Sequence, residues 1–176
     1  MDENVRRLDL SIVGGVRIAM GSNNNLFAVQ EVNPMFFEFT LSGEYLNKLG
    51  GIPSFYKEPF KFPKFTYPKD KLQATKLLGK FTQLTNIITV PSSQGKLVML
   101  IYAVHAPSKF AIDVYKENGE CLIDSIGTDQ ALIMADRLGK MYFNKHALDY
   151  TEIGSERRNA PLILSRCAVL PALEKE

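Results

Sequence analysis

The sequence predicts an α+β fold: two antiparallel four-stranded sheets, each followed by a helix, so that the order ββββα occurs twice. Three observations predict it. Short runs of alternating or continuous apolar residues recur at strand length, separated by turn signals rich in Gly, Asn and Pro. Each series of strands is followed by a segment that opens on Ser or Thr, as a capped helix does. The composition, 45% apolar and 23% charged over 176 residues, is that of one globular domain, residues 1–176, with a core of ordinary size.

Residues 6–51 read as the first ββββα half. Arg6 to Val13 alternates, placing Leu8, Leu10 and Ile12 on one face of a half-buried strand. Gly14-Gly15 turns the chain and Val16 to Met20 returns as a second strand. Gly21 to Asn25 is rich in residues that tolerate positive φ, which suits a loop. Leu26 to Val32 reads as the third strand, Asn33-Pro34 breaks it, and Met35 to Leu41 reads as the fourth. Ser42 then caps a short helix that ends near Leu49, with Gly50-Gly51 as the stop signal.

Residues 52–68 form a loop rich in aromatics, prolines and lysines. Pro53, Pro59, Pro63 and Pro68 exclude a helix and a central strand there. Residues 69–145 supply a helix and the second ββββα half. From Lys69 to Asn86 the residues Ala74, Leu77, Leu78, Phe81 and Leu84 keep helical spacing opposite a stripe containing Lys69, Lys76 and Lys80. Ile87 to Val90 is a short strand, and Leu97 to Val104 is nearly all apolar, as in a central strand buried on both faces. Lys109–Tyr115 and Cys121–Ile126 make a hairpin around Asn118-Gly119. Thr128 caps a helix to about Phe143, with Asp129 in its first turn and Lys140 and Lys145 near its end. Residues 146–176 are a C-terminal extension with Arg157-Arg158 and a last strand near 162–169. The two halves repeat in their elements and not in their residues.

The compartment expected is intracellular and cytoplasmic. No apolar run reaches the roughly 20 residues that span a bilayer, and the start lacks the apolar stretch of a signal peptide. Cys121 and Cys167 lie in apolar segments, where a buried free thiol is the usual state. Between Lys57 and Lys80 seven lysines stand against Glu58 and Asp70, a local charge of +5 in a chain of formal charge +2. A field of that kind suits an anionic polymer, and it equally suits a solvated surface.

Motifs of catalysis are missing: there is no phosphate-binding loop, no GxGxxG after a strand, no HExxH, no CxxC and no GxSxG. His105 and His146 are too few for a site of several histidines. The expectation is a protein without enzymatic activity, metal or cofactor. One pair stands apart. With Asn118-Gly119 as a two-residue loop, Glu117 faces Glu120 and Asp113 faces Asp124, and two carboxylates across a ladder repel. A divalent cation, a nearby lysine or plain solvation would each relieve that, so a metal-dependent enzyme centred on Asp113 and Asp124 is one alternative.

The aromatic segment offers other chemistry. Bases stack on aromatic faces and lysines neutralise phosphates, so interleaved rings and lysines suit single-stranded nucleic acid. The candidates are Arg17, Lys57, Lys61 and Lys64 for phosphate, with Tyr56, Phe62 and Tyr67 as stacking rings. The other use of such rings is to anchor a long loop on the core, or to dock on a protein partner.

Phe39-Thr40-Leu41-Ser42, then Leu49-Gly50, then Phe55-Tyr56-Lys57-Glu58-Pro59 resemble a succession found in the Whirly family, with the order of elements matching from about residue 7 to residue 143. That family's domain is two ββββα halves; kinetoplastid guide-RNA-binding proteins share the architecture, and Pur-type domains use a similar unit. Its lysine–glycine–lysine motif has no counterpart, because Gly15 stands between Gly14 and Val16, and Arg17 is the nearest base. The resemblance implies binding of single-stranded RNA or DNA with little sequence preference, and a homo-oligomer.

Overall fold

The computed structural model describes residues 15–57, 80–93, 95–104, 109–144 and 164–167, the last four and residue 144 as backbone alone. Among these residues there are strands and turns and no helix. The first sheet is a meander of β1 (Val16–Met20), β2 (Asn25–Gln30), β3 (Phe36–Thr40) and β4 (Tyr45–Leu49). The second repeats it with β5 (Gln83–Ser92), β6 (Gly95–Ala103), β7 (Phe110–Lys116) and β8 (Cys121–Thr128). A third contains β9 (Ala131–Ala135), β10 (Met141–Asn144) and β11 (Leu164–Cys167). Every paired strand is antiparallel to its neighbour.

The second sheet lies between the other two. On one side Leu84, Ile87, Val98, Leu100 and Tyr102 pack against Phe27, Val29 and Phe36 of the first sheet. On the other, Ile88, Val90, Met99, Ile101 and Val114 pack against Leu132, Met141 and Phe143 of the third. A strand covered on both faces needs apolar residues at successive positions, and β6 and β7 are buried almost throughout. The continuous apolar run from Leu97 is thus a central strand, as its composition predicts. β5 has one ladder partner, so Pro91 sits in it opposite Lys96 without taking a donor from a second ladder.

Sheets packed face to face usually lie about 10 Å apart. Here strands of different sheets come within 8 Å, Cα to Cα, from β1 and β2 to β5 and from β5 and β6 to β9, and the β7–β8 turn at Gly119 closes on Leu49 and Gly50 at the end of β4.

The α+β expectation is overturned: the described chain is all β, and the ββββα repeat does not hold. The segment 42–49, expected as a helix, is a turn followed by β4. Ser42 does not cap a helix. Its hydroxyl lies 2.8 Å from that of Thr40, within a turn that Gly43 closes at φ +88°. Of the helix expected over 69–86, residues 83–86 are strand β5 and residues 69–79 lie outside the described residues. The helix expected over 128–143 is the β9–β10 hairpin, because Gly139 at φ +73° reverses the chain and burial of Leu132, Met141 and Phe143 holds both strands on the second sheet. Thr128 Oγ1 does accept a backbone N–H, that of Gln130 at 3.1 Å, but in a local turn. The strand expected over 6–13 lies outside the described residues.

One turn type recurs. Thr40, Lys116 and Asp136 each donate their N–H to the carbonyl of the residue four ahead, at 2.8–2.9 Å, across three-residue loops ending in Gly43, Gly119 and Gly139. The glycine is left-handed in all three, at φ +88°, +88° and +73°. This is a type I turn closed by a left-handed residue. Gly21 and Asn25 make the same bond at 2.9 Å, with Asn24 at φ 55° in the glycine's place.

Candidate interaction face and the buried Asp113 cluster

Strand alternation decides which residues of the first sheet are left outside. In β1, Ala19 packs on the core and Arg17 reaches Thr85 of β5, so Val16, Ile18 and Met20 point away from the second sheet. They are 50%, 61% and 45% exposed. In β2 and β3, burial of Phe27, Val29 and Phe36 turns Leu26, Ala28, Phe37 and Phe39 to that outer side. The register places Met20 beside Leu26, Leu26 beside Phe39, and Phe39 beside Tyr45, across all four strands. The rings of Phe39 and Tyr45 meet edge to face at 5.8 Å. Leu46 and Tyr45 are both exposed, and Lys48, paired with Phe37, is the cation of this face among the described residues.

A face of this kind is costly to leave in water, since contiguous exposed apolar surface is uncommon on soluble monomers and marks sites of association. Sequence reasoning missed it because Tyr45 to Leu49 was expected on a helix. The signal that finds it is Gly43, at the third position of a three-residue hairpin loop.

The residues proposed for phosphate and stacking fall in several settings. The Arg17 side chain is exposed, and its Nε donates to the Thr85 carbonyl at a long 3.4 Å. Beside it, Glu31 has its pKa raised by burial, an effect that the Arg17 charge opposes. Arg17 therefore joins the first sheet to the second. Tyr56 is half-buried, packs on the core and donates its hydroxyl to the Val32 carbonyl at 2.6 Å. Its ring anchors the chain leaving the first sheet. Lys57 is exposed, while its backbone exchanges hydrogen bonds with Thr82. Lys61, Lys64, Phe62 and Tyr67 lie outside the described residues, as do His105 and His146.

The acidic pair is also rearranged. The hairpin loop has three residues, not two, so Glu120 faces Lys116, with a 2.9 Å ion pair, instead of Glu117. Glu117 accepts the N–H of Ser22 at 2.6 Å and ties that turn to the second sheet. The register then shifts twice between Ile112 and Tyr115, and Ser125 takes φ 67°. Through that bulge the Ser125 N–H reaches Asp113 Oδ1 at 2.9 Å, while the Tyr115 hydroxyl donates to Oδ2 at 3.4 Å. Asp113 is fully buried, whereas Asp124 is exposed.

Burial pushes the Asp113 pKa up to about 6; the Ser125 N–H opposes this and the Asp124 charge adds to it. Burial, together with the Asp113 charge, raises the Tyr115 phenol as well. Among the described residues no three His, Cys, Asp or Glu side chains are grouped to hold a metal ion. The arrangement around Asp113 is a buried acid hydrogen-bonded to its own sheet, at the face that meets the first sheet. Cys121, expected to be buried, is exposed at the start of β8. No helix among the described residues is long and apolar enough to cross a membrane.

No model of a known protein family matches this chain, and no curated protein does so either.

Proposed function

We propose that this chain is a non-catalytic protein-interaction module that binds through the outer face of its first sheet. The observation that carries the reading is the exposure of Val16, Ile18, Met20, Tyr45 and Leu46 on one sheet face whose described cation is Lys48. Cores of protein interfaces are depleted in charge and enriched in aromatic residues and Met, whereas nucleic-acid interfaces are strongly positive. The test is photo-crosslinking in cells producing the chain, with benzoylphenylalanine installed at position 18 or, as control, at position 138 in an exposed turn. Protein adducts from position 18 and none from position 138 are expected. No adduct from position 18 refutes the reading.

A second reading, binding of single-stranded RNA or DNA, is favoured by the exposure of Lys57 at the start of the lysine-rich segment and of Tyr45 on the face. Fluorescence anisotropy with labelled single strands at low and physiological salt tests it. Salt-sensitive binding that Lys61→Glu with Lys64→Glu weakens supports this second reading. No binding to RNA or DNA removes it.

A further inference from the structure

Independently of the first sheet's outer face, we propose that β8 carries a pH-sensitive latch: the Asp113 carboxyl keeps the bulge at Ser125 closed while it is protonated, and its ionisation releases that stretch of β8 from β7. The geometry is that of a side chain standing in for a ladder bond. β7 and β8 pair at Ile112 with Ile126 and again at Val114 with Ile123, so Asp113 faces both Asp124 and Ser125, and neither has a ladder partner on β7. The Ser125 N–H goes instead to Asp113 Oδ1 at 2.9 Å. Ser125 is left-handed at φ 67°, a conformation disfavoured for any residue with a Cβ. Asp113 is completely buried, yet Ser125, which meets its carboxyl, is exposed. The acid therefore lies one residue from water.

The groups around Asp113 compensate its charge poorly. From β7 comes Tyr115, whose hydroxyl donates to Oδ2 at a long 3.4 Å. From β6 comes Tyr102, whose hydroxyl is committed to the Pro34 carbonyl. From β8 come Cys121 and the like charge of Asp124. The first sheet supplies the ring of Phe36 and the Gly51 N–H, both set against Tyr115. Among the described residues no Lys, Arg or His faces the carboxyl. Ionisation strengthens the Ser125 N–H bond, but it also leaves a charge out of water beside a second carboxylate. The rise of the Asp113 pKa from 3.8 to about 6 shows the second effect to be the larger. An opening that returns the carboxyl to water is therefore favoured as pH rises, by at most about 100-fold for a shift of about 2 units. β8 is the strand that opens most readily. It pairs with β7 alone among the described strands, most of its residues are exposed, and its bulge lacks ladder bonds.

The experiment is amide hydrogen exchange of the full chain between about pH 4.5 and about pH 8, with and without low urea, each rate corrected for its intrinsic pH dependence. Amides from Ile123 to Gly127 are expected to lose about 30-fold in protection across that range, the part of the 100-fold limit that falls within it. Their exchange is expected to ignore low urea, as a local opening does, whereas amides of β6 respond to urea through global unfolding. Asp113→Asn abolishes the change with pH. Asp124→Asn keeps Asp113 and removes the like charge, so the pH at which the loss levels off moves down; it serves should Asp113→Asn not fold. Protection in β8 that is constant with pH overturns the proposal, as does an equal change in Asp113→Asn or a profile that Asp124→Asn leaves unmoved. Exchange in β8 that follows urea as steeply as that of β6 also overturns it, because Asp113 then acts only through unfolding of the whole domain.

Discussion

Asp113 is a direct probe of the core between the first two sheets, because a buried acid makes stability depend on pH in a calculable way. Its folded pKa lies near 6 and the ordinary value is 3.8. The group is raised on folding, so its contribution to stability is fully present below the unfolded value and is lost as pH rises through the folded one. The shift of about 2 units corresponds to roughly 3 kcal/mol over the whole range. About 2 kcal/mol of that falls between about pH 4.5 and about pH 8, since near pH 4.5 the unfolded carboxyl is already mostly ionised.

Asp113→Asn keeps an acceptor for the Ser125 N–H and a polar group against the Tyr115 hydroxyl, and it removes the titration. Urea denaturation of both proteins at the two pH values is the assay. The variant gains about 2 kcal/mol relative to wild type on going from the acidic to the alkaline condition. Glu31, also raised by burial, titrates in the same direction in both proteins and cancels in the difference. An identical pH dependence in the two proteins refutes the assignment of a buried, raised carboxyl at this position.

Three further substitutions bear on the joints between sheets. At Gly119, φ is +88° and a Cβ would lie 3.1 Å from Leu49 and 3.2 Å from the Gly50 nitrogen, whereas at Gly43, with the same φ, it meets nothing within 4 Å. Gly43→Ala therefore costs about 1–2 kcal/mol, for the left-handed backbone alone, and Gly119→Ala costs at least about 1 kcal/mol more. Thermal unfolding reads the difference, and equal costs refute the close approach of β4 to the β7–β8 turn. Tyr102 is fully buried and donates its hydroxyl to the Pro34 carbonyl at 3.0 Å, linking β6 to the chain between β2 and β3. Tyr102→Phe leaves that carbonyl unsatisfied and loses about 1–3 kcal/mol in chemical denaturation. A neutral effect shows that the bond is not made.

The sequence alone determined most of the strands. Short apolar runs between turn signals marked β1, β2 and β3: Val16–Met20 after Gly14-Gly15, Leu26 to Val32 before Asn33-Pro34, and Met35 to Leu41 after it. The run Leu97 to Val104 announced a strand covered on both faces, and Asn118-Gly119 located a hairpin. The turn glycines were also written in the chain, at Gly43, Gly119 and Gly139, but a Gly after a short apolar segment signals the end of a helix as readily as the close of a three-residue hairpin.

Local signals could not separate those two meanings for Tyr45–Leu49 or Ala131–Asn144, because both segments are short and their periodicity is ambiguous. Tertiary packing decided between them. Leu49 is drawn to the core shared with the second sheet, while Leu132, Met141 and Phe143 cover the opposite face of that sheet, and each contact requires an extended chain. The outer face of the first sheet was likewise invisible before the fold was known. Val16, Ile18 and Met20 alternate as core residues do, and only the position of their sheet at one end of the stack leaves them in water.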